Sequence, residues 1–189
     1  MIKHVLTDFF GVLSSEVAPV WLPRHMSNEE AVAYKRDVIN RVDLGEFSYR
    51  ELLGYLSSLT GVPASQIHEE WYDISKPHVN YISFLRGLKE CDVYLLSNAS
   101  SEFVRCLIDK HGLMDLFADV FISAEIRLAK PDAAYFRYCL DKIGAKAEEC
   151  VFIDDNPVNV EAAKKVGIIA ILFENATQIR REFEILGIS

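Results

Sequence analysis

Three apolar runs of this chain end in side chains able to do chemistry. Val5-Leu6-Thr7 ends in Asp8, Leu95-Leu96 in Ser97-Asn98, and Phe152-Ile153 in Asp154-Asp155. A fourth run, Val120-Phe121-Ile122, leads into a loop carrying Lys130-Pro131. If these runs are parallel strands of one sheet, their ends share an edge, and ligands bind in the crevice outside that edge. Three carboxylates would then meet one lysine. Carboxylates crowded together repel and raise one another's pKa. A divalent cation relieves that strain, and magnesium, a hard ion, takes one or two carboxylates, waters and a substrate phosphate. The set therefore reads as a site for Mg2+ and a phosphoryl group together. Lys130 would neutralise the remaining charge. Ser97 and Asn98 offer hydrogen-bond donors to phosphate oxygens. Gly11 lets the backbone turn tightly after Asp8, so the amides of Phe9 and Phe10 would face the phosphate as a small anion nest.

The elements that must position these residues follow from periodicity. A short strand covers Ile2 to Thr7. Residues 16 to 77 carry helical periodicity with no strand-like run. Ser27-Asn28-Glu29-Glu30 and Ser48-Tyr49-Arg50-Glu51 are capping-box patterns that open two of its helices. Gly61-Val62-Pro63 punctuates, and a further helix runs through Ile67 and Trp71. From residue 78 the pattern alternates helix and strand, with strands at Val93 to Leu96, Val120 to Ile122, Cys150 to Ile153 and Ile168 to Leu172. Apolar strands separated by helices signal a parallel sheet covered on both faces. The expected fold is α/β, a doubly wound, Rossmann-like core of residues 1–15 and 78–189. An all-helical cap, residues 16–77, is inserted after the first strand.

Composition narrows the partners. The net charge of −8 excludes a general nucleic-acid binder, which needs a basic stripe. No apolar stretch reaches the length of a membrane span. The start, Met1 to Leu6, runs directly into Asp8 and does not read as a signal peptide. The four cysteines, Cys91, Cys106, Cys139 and Cys150, are scattered and read as free thiols of a reducing compartment. The expectation is a cytoplasmic protein, monomer or homodimer, acting on a small phosphorylated metabolite, with no nucleic acid and no membrane as partner.

Four motifs in order resemble the haloacid dehalogenase-like superfamily. Asp8-Phe9-Phe10-Gly11-Val12 is similar to its first motif, Leu96-Ser97-Asn98 to its second, Lys130-Pro131-Asp132 to its third and Ile153-Asp154-Asp155-Asn156 to its fourth. The helical insert lies where that family places its first type of cap. Leu44-Gly45-Glu46-Phe47-Ser48, and Asp154-Asp155-Asn156 with Asn159 and Glu161, look like glucose-1-phosphatase-type sugar-phosphate phosphatases. The resemblance implies that Asp8 attacks phosphorus in line and forms an aspartyl-phosphate that water then hydrolyses. It implies a metal held by the Asp8 carboxylate, the Phe10 carbonyl and Asp155, with Asp154 behind them orienting metal-bound water.

One position departs from the pattern. The family's phosphatases usually carry an acid–base aspartate two residues after the nucleophile, and here that residue is Phe10. Such help is typically worth about 10² to 10⁴ in rate. The main reading is a phosphatase whose substrate has a good leaving group, an anomeric sugar phosphate in preference to a 6-phosphate. The glucose-1-phosphatase-type relatives also lack this aspartate. A 2-haloacid dehalogenase is an alternative, since those enzymes carry an aromatic residue there, but Asp154-Asp155 would then be excess charge. A non-catalytic regulatory protein is the other alternative. Some residues have plainer readings. Asn156 fits a helix cap before Pro157, and Asn98 fits one too. Trp21, Trp71 and Tyr72 read as packing inside the cap, or one of them as a sugar-stacking face. His25, His68 and His111 read as surface or core histidines. Arg24, Arg41 and Arg50 could reach a substrate from the cap.

Overall fold

The structure is a computed structural model and describes residues 1–188. Strand β1 (His4–Thr7) is followed by the helices α1 (Ala18–Trp21), α2 (Asn28–Tyr34), α3 (Asn40–Asp43), α4 (Tyr49–Thr60) and α5 (Ala64–Ile74). Then come α6 (Val79–Gly87), β2 (Asp92–Ser97), α7 (Ser101–Lys110), β3 (Asp119–Ile122), α8 (Ser123–Ile126) and α9 (Ala133–Ile143). The chain continues through β4 (Cys150–Asp154), α10 (Pro157–Val166), β5 (Ile169–Leu172) and α11 (Ala176–Leu186). The five strands form one parallel sheet in the order β3-β2-β1-β4-β5. No helix is long and apolar enough to cross a membrane among the described residues.

Alternation along the strands sorts the core. Val5, Leu95, Val151 and Ile153 point to one face, under α6, α7 and α11. Leu6, Tyr94, Leu96 and Phe152 point to the other, under α9 and α10. Trp21, Leu52, Leu56 and Trp71 of α1, α4 and α5 join the first of these clusters. The helical segment is thus packed onto the sheet's own core. Coverage weakens at one edge, where Ile169 and Leu172 of β5 are 36% and 39% exposed. An edge strand has a neighbour on one side only, so its apolar run overstates its burial.

The capping boxes form as expected. Ser27 and Glu30 exchange hydrogen bonds at the start of α2, and Ser48 and Glu51 do so at the start of α4. The helix opened by Ser27 is not uniform, however. It widens into a π-helical turn over Lys35–Ile39 before α3. Single π turns inside α-helices are rare and often sit at functional sites.

Candidate active site

Strand register decides what meets what. Thr7 of β1 pairs with Leu95 of β2 and with Ile153 of β4. The next residue along, Asp8, is therefore level with Asp154, and its amide donates to the Ile153 carbonyl at 2.9 Å. Ser97 ends the neighbouring strand.

Lys130 sits between the two aspartates. Its Nζ lies 2.8 Å from Asp8 Oδ1 and 2.7 Å from Asp154 Oδ2. All three residues are buried. Burial alone would lower the lysine's pKa, but Asp154 and Asp8 outweigh it and hold the ammonium above its ordinary value. Its backbone is fixed as well. Asn98 Nδ2 donates to the Lys130 carbonyl at 2.7 Å, and the Lys130 amide donates to Asn98 Oδ1 at 2.9 Å. Asn98 was expected to donate to phosphate. Its carboxamide is instead clamped on the lysine's backbone, which leaves one amide hydrogen over.

Asp8 Oδ1 accepts from Lys130 and from the Phe9 amide, the latter at 2.7 Å. The Phe9 amide is thus spent on the aspartate and does not wait for an anion, contrary to the nest expectation. Asp8 Oδ2 has no hydrogen-bond partner among the described residues. Burial, with the Asp154 charge added, pushes the Asp8 carboxyl well up, against the pull of Lys130. Asp154 is the most heavily engaged of the acids. Its Oδ1 accepts from the Asn156 amide at 2.8 Å, and both oxygens take Asn159 Nδ2 at 3.1 Å. Its evident task is to hold the lysine.

Asp155 completes the acidic cluster. Asp8, Asp154 and Asp155 each present an oxygen within 4.8 Å of the others. Burial raises the Asp155 carboxyl, and Asp154 raises it further. Gly11 makes its position possible. At φ +78°, a Cβ on Gly11 would lie 2.1 Å from Asp155 Oδ2. The glycine supplies both a backbone turn and the space the carboxylate fills. Three acids against one lysine, all oxygen donors, with one kept close by a missing Cβ, form a set that fits a small hard cation. The Ser97 hydroxyl is buried and unpartnered among the described residues. A buried polar atom without a partner costs about 1–3 kcal/mol; Ser97 itself does not line the cavity above the cluster, whereas its neighbour Asn98 does.

Asp8, Asp155 and Lys130 line a cavity of about 330 Å³ between the sheet edge and the helical segment, with Asp154 outside its lining. One wall is aromatic. Phe10 stacks on Phe103 at 6.2 Å and 13°, and Tyr49 stacks on Phe103 at 5.0 Å and 16°. Trp71 lines the cavity too, and its indole Nε1 is unpartnered among the described residues. Trp21 does not; it donates to Glu70 at 2.6 Å. Glu16, Lys35 and Asp43 line another part of the wall. None of the three was picked out from the sequence. Arg24, Arg41 and Arg50 do not line the cavity, and Arg41 is paired with Glu46 at 2.6 Å. Glu161 is paired at the surface with Lys164, at 2.8 Å. His68 and His111 bond Tyr49 and Ser75 and stand outside the cavity lining. All four cysteines are free thiols.

A family model described as haloacid dehalogenase-like hydrolase matches residues 2–167. Drimenol cyclase drtB of Aspergillus calidoustus is 35% identical over 105 residues, which are 53% of this chain and 20% of that protein. Sesquiterpene phosphatase astK of Aspergillus oryzae is 32% identical over 121 residues, 61% of this chain and 62% of its own length. The match thus spans less than two thirds of either relative. Among solved structures, a HAD family enzyme from Bacteroides thetaiotaomicron, in complex with magnesium and inorganic phosphate, superposes with a TM-score of 0.76. It is 24% identical, and the match covers 93% of this chain and 96% of that one. At that identity the likeness speaks for the fold.

Proposed function

Since the chain belongs to the haloacid dehalogenase-like hydrolase family, we propose that it is a magnesium-dependent phosphohydrolase of small phosphomonoesters, with Asp8 as nucleophile. The observation that carries this is the division of labour on Asp8. One carboxylate oxygen is tied to Lys130 and the Phe9 amide, and the other has no hydrogen-bond partner among the described residues. A carboxylate fixed by one oxygen and open at the other is arranged for attack.

In this reading Asp8 Oδ2 attacks phosphorus and displaces the alcohol, and water then releases phosphate from the aspartyl-phosphate. Lys130 balances charge on Asp8 and on the phosphoryl oxygens. Ser97 and the spare amide hydrogen of Asn98 donate to those oxygens. Magnesium, held by Asp8, the Phe10 carbonyl and Asp155, would offset the phosphoryl charge and allow Asp8 to stay ionised. Asp154 acts behind them by anchoring Lys130. The helical segment covers the cavity and limits bulk water. The dehalogenase alternative leaves Asp155 without a purpose beside an anionic substrate, and no contact favours it.

The substrate is narrowed by two features. An anomeric sugar phosphate, whose leaving group asks least of a proton donor, is what the glucose-1-phosphatase resemblance implies. The relative named for a sesquiterpene and the wall of Phe10, Phe103, Tyr49 and Trp71 support an apolar alcohol equally. The test is phosphate release from p-nitrophenyl phosphate, hexose 1-phosphate, hexose 6-phosphate and an allylic monophosphate, with and without magnesium. Magnesium-dependent release that vanishes in Asp8→Asn is expected. Chloride release from 2-chloropropionate that survives chelation would overturn the reading.

A further inference from the structure

Phe10 cannot transfer a proton, so a leaving alkoxide must find one elsewhere in the cavity. Besides Asp8, Asp155 and Lys130, the ionisable side chains lining it are Glu16, Lys35, Asp43 and Tyr49. Glu16, in the loop after β1, is raised by burial, drawn down by Lys35 and raised again by Asp155 and Asp154. It belongs to the acidic side of the site, with the proposed metal ligands. Tyr49 is committed to His68, at 3.1 Å. Lys35 lies on the π turn. Asp43 is different in kind.

Asp43 closes α3, and its backbone is fastened to the sheet side of the molecule. The Ser123 hydroxyl donates to the Asp43 carbonyl and accepts the Ala99 amide at 3.0 Å. Two residues on, Gly45 has φ +70°, and a Cβ there would lie 2.5 Å from the Ala124 carbonyl oxygen. The segment is therefore pressed against α8 with no room to shift. The Asp43 carboxyl itself makes no hydrogen bond and no ion pair among the described residues. Asp43 is half-buried and lines the cavity, with no side chain of the described residues holding its carboxyl.

We propose that Asp43 is the general acid and base of the reaction, supplied by the helical segment in place of the aspartate that position 10 lacks. This rests on the phosphatase reading above. As Asp8 Oδ2 forms its bond to phosphorus, the bond from phosphorus to the ester oxygen breaks. The electron pair goes to that oxygen, which takes the Asp43 proton and leaves as the alcohol. In the second step water adds to phosphorus, the bond to Asp8 breaks, and Asp43 receives a water proton. The acid is then restored for the next cycle.

The electrostatics agree with this assignment. Burial raises the Asp43 carboxyl, Lys35 pulls it down, Glu16 raises it and Lys130 lowers it, with the balance at about 7. A proton donor works best with a pKa near the operating pH. The charged groups that bear on it are Lys35 from the π turn, Glu16 from the loop after β1 and Lys130 from the loop after α8. Asp8 and Asp155 share the cavity floor.

The test compares leaving groups. p-Nitrophenolate departs without a proton, whereas the alkoxide of hexose 6-phosphate does not. In Asp43→Asn, turnover of hexose 6-phosphate should fall about 10²- to 10³-fold. The pre-steady-state burst of p-nitrophenolate should stay within about threefold of the parent's, since acid catalysis contributes little there. In the parent protein, hexose 6-phosphate turnover should lose rate as pH rises through about 7, and the p-nitrophenolate burst should not. That parent measurement stands even if the variant folds poorly. Equal losses on both substrates, or an alkaline limb common to both, overturn the inference and leave the phosphatase reading intact. Absence of magnesium-dependent release from any ester by the parent overturns both.

Discussion

Replacing Lys130 by methionine removes the positive charge between Asp8 and Asp154 while nearly keeping the volume. The lysine contacts are 2.8 and 2.7 Å. At an effective dielectric of about 20, each is worth about 6 kcal/mol before desolvation. Removing the lysine returns the several kcal/mol that burying its ammonium cost, so the net loss expected for a broken buried pair is about 3–5 kcal/mol. The loss depends on pH. Asp154 keeps donors from Asn156 and Asn159, so Asp8 is the acid that must protonate. Burial already raises Asp8, and Asp154 adds to it; without Lys130 it rises further. A group whose pKa is raised on folding stabilises the fold below its unfolded value, about 3.9 for an aspartate, and loses that contribution as pH climbs through the folded value. The variant should therefore be nearest the parent in acid and weakest in mild alkali. Urea denaturation at both extremes, without metal, reads this directly, and adding magnesium should recover part of the alkaline deficit. A deficit in alkali below about 1 kcal/mol, the size of a surface pair, or one that does not change with pH, would refute the buried-triad account.

Two further substitutions separate stability from function. Ser97→Ala deletes a buried hydroxyl that has no partner among the described residues, so denaturation should show no loss, or a gain of up to about 1 kcal/mol. Its kcat/KM with p-nitrophenyl phosphate should nonetheless fall at least about tenfold, the worth of one hydrogen bond to a charged phosphoryl oxygen. Gly11→Ala puts a Cβ where Asp155 Oδ2 now stands and forces a non-glycine residue to φ +78°. The backbone term costs about 1–2 kcal/mol, and displacing the carboxylate should weaken magnesium binding about 10- to 100-fold, as calorimetric titration would show. Unchanged metal affinity there would mean that Asp155 is no ligand.

The parts of this site written in local sequence are those where a hydrophobic pattern stops abruptly. Asp8 follows the last residue of β1, and Ser97 and Asp154 end β2 and β4, in strands whose register brings these tips to one edge. Both capping boxes were legible for a similar reason: Ser and Glu three apart satisfy specific amides at a helix start. The π turn over Lys35–Ile39 was not legible, because Lys-Arg-Asp-Val-Ile has no breaker and is compatible with an α-helix. Lys35, the first residue of that turn, lines the cavity, and no arginine does among the described residues. Asp43 was invisible for a different reason. An aspartate in a charged helical segment looks solvated, and only the fold shows its backbone pinned by Ser123 and its side chain on the cavity wall. The β5 edge misled in the other direction, since an apolar run does not say whether a strand has one neighbour or two.

The loss at position 10 and the fastening of Asp43 are best understood as one arrangement. An acid beside the nucleophile, on the same loop, is in place whether or not the site is covered. An acid carried by the helical segment is in place only while that segment rests on the core. The contacts that seat it lie close together: Ser123 to the Asp43 carbonyl, Gly45 against Ala124, and the Tyr49 amide donating to Glu102 at 3.0 Å. The same contacts seat Tyr49, whose ring lies on Phe103, and Phe103 in turn lies on Phe10. Phe10 therefore serves the wall that holds the substrate, while proton delivery passes to the partner across the cavity.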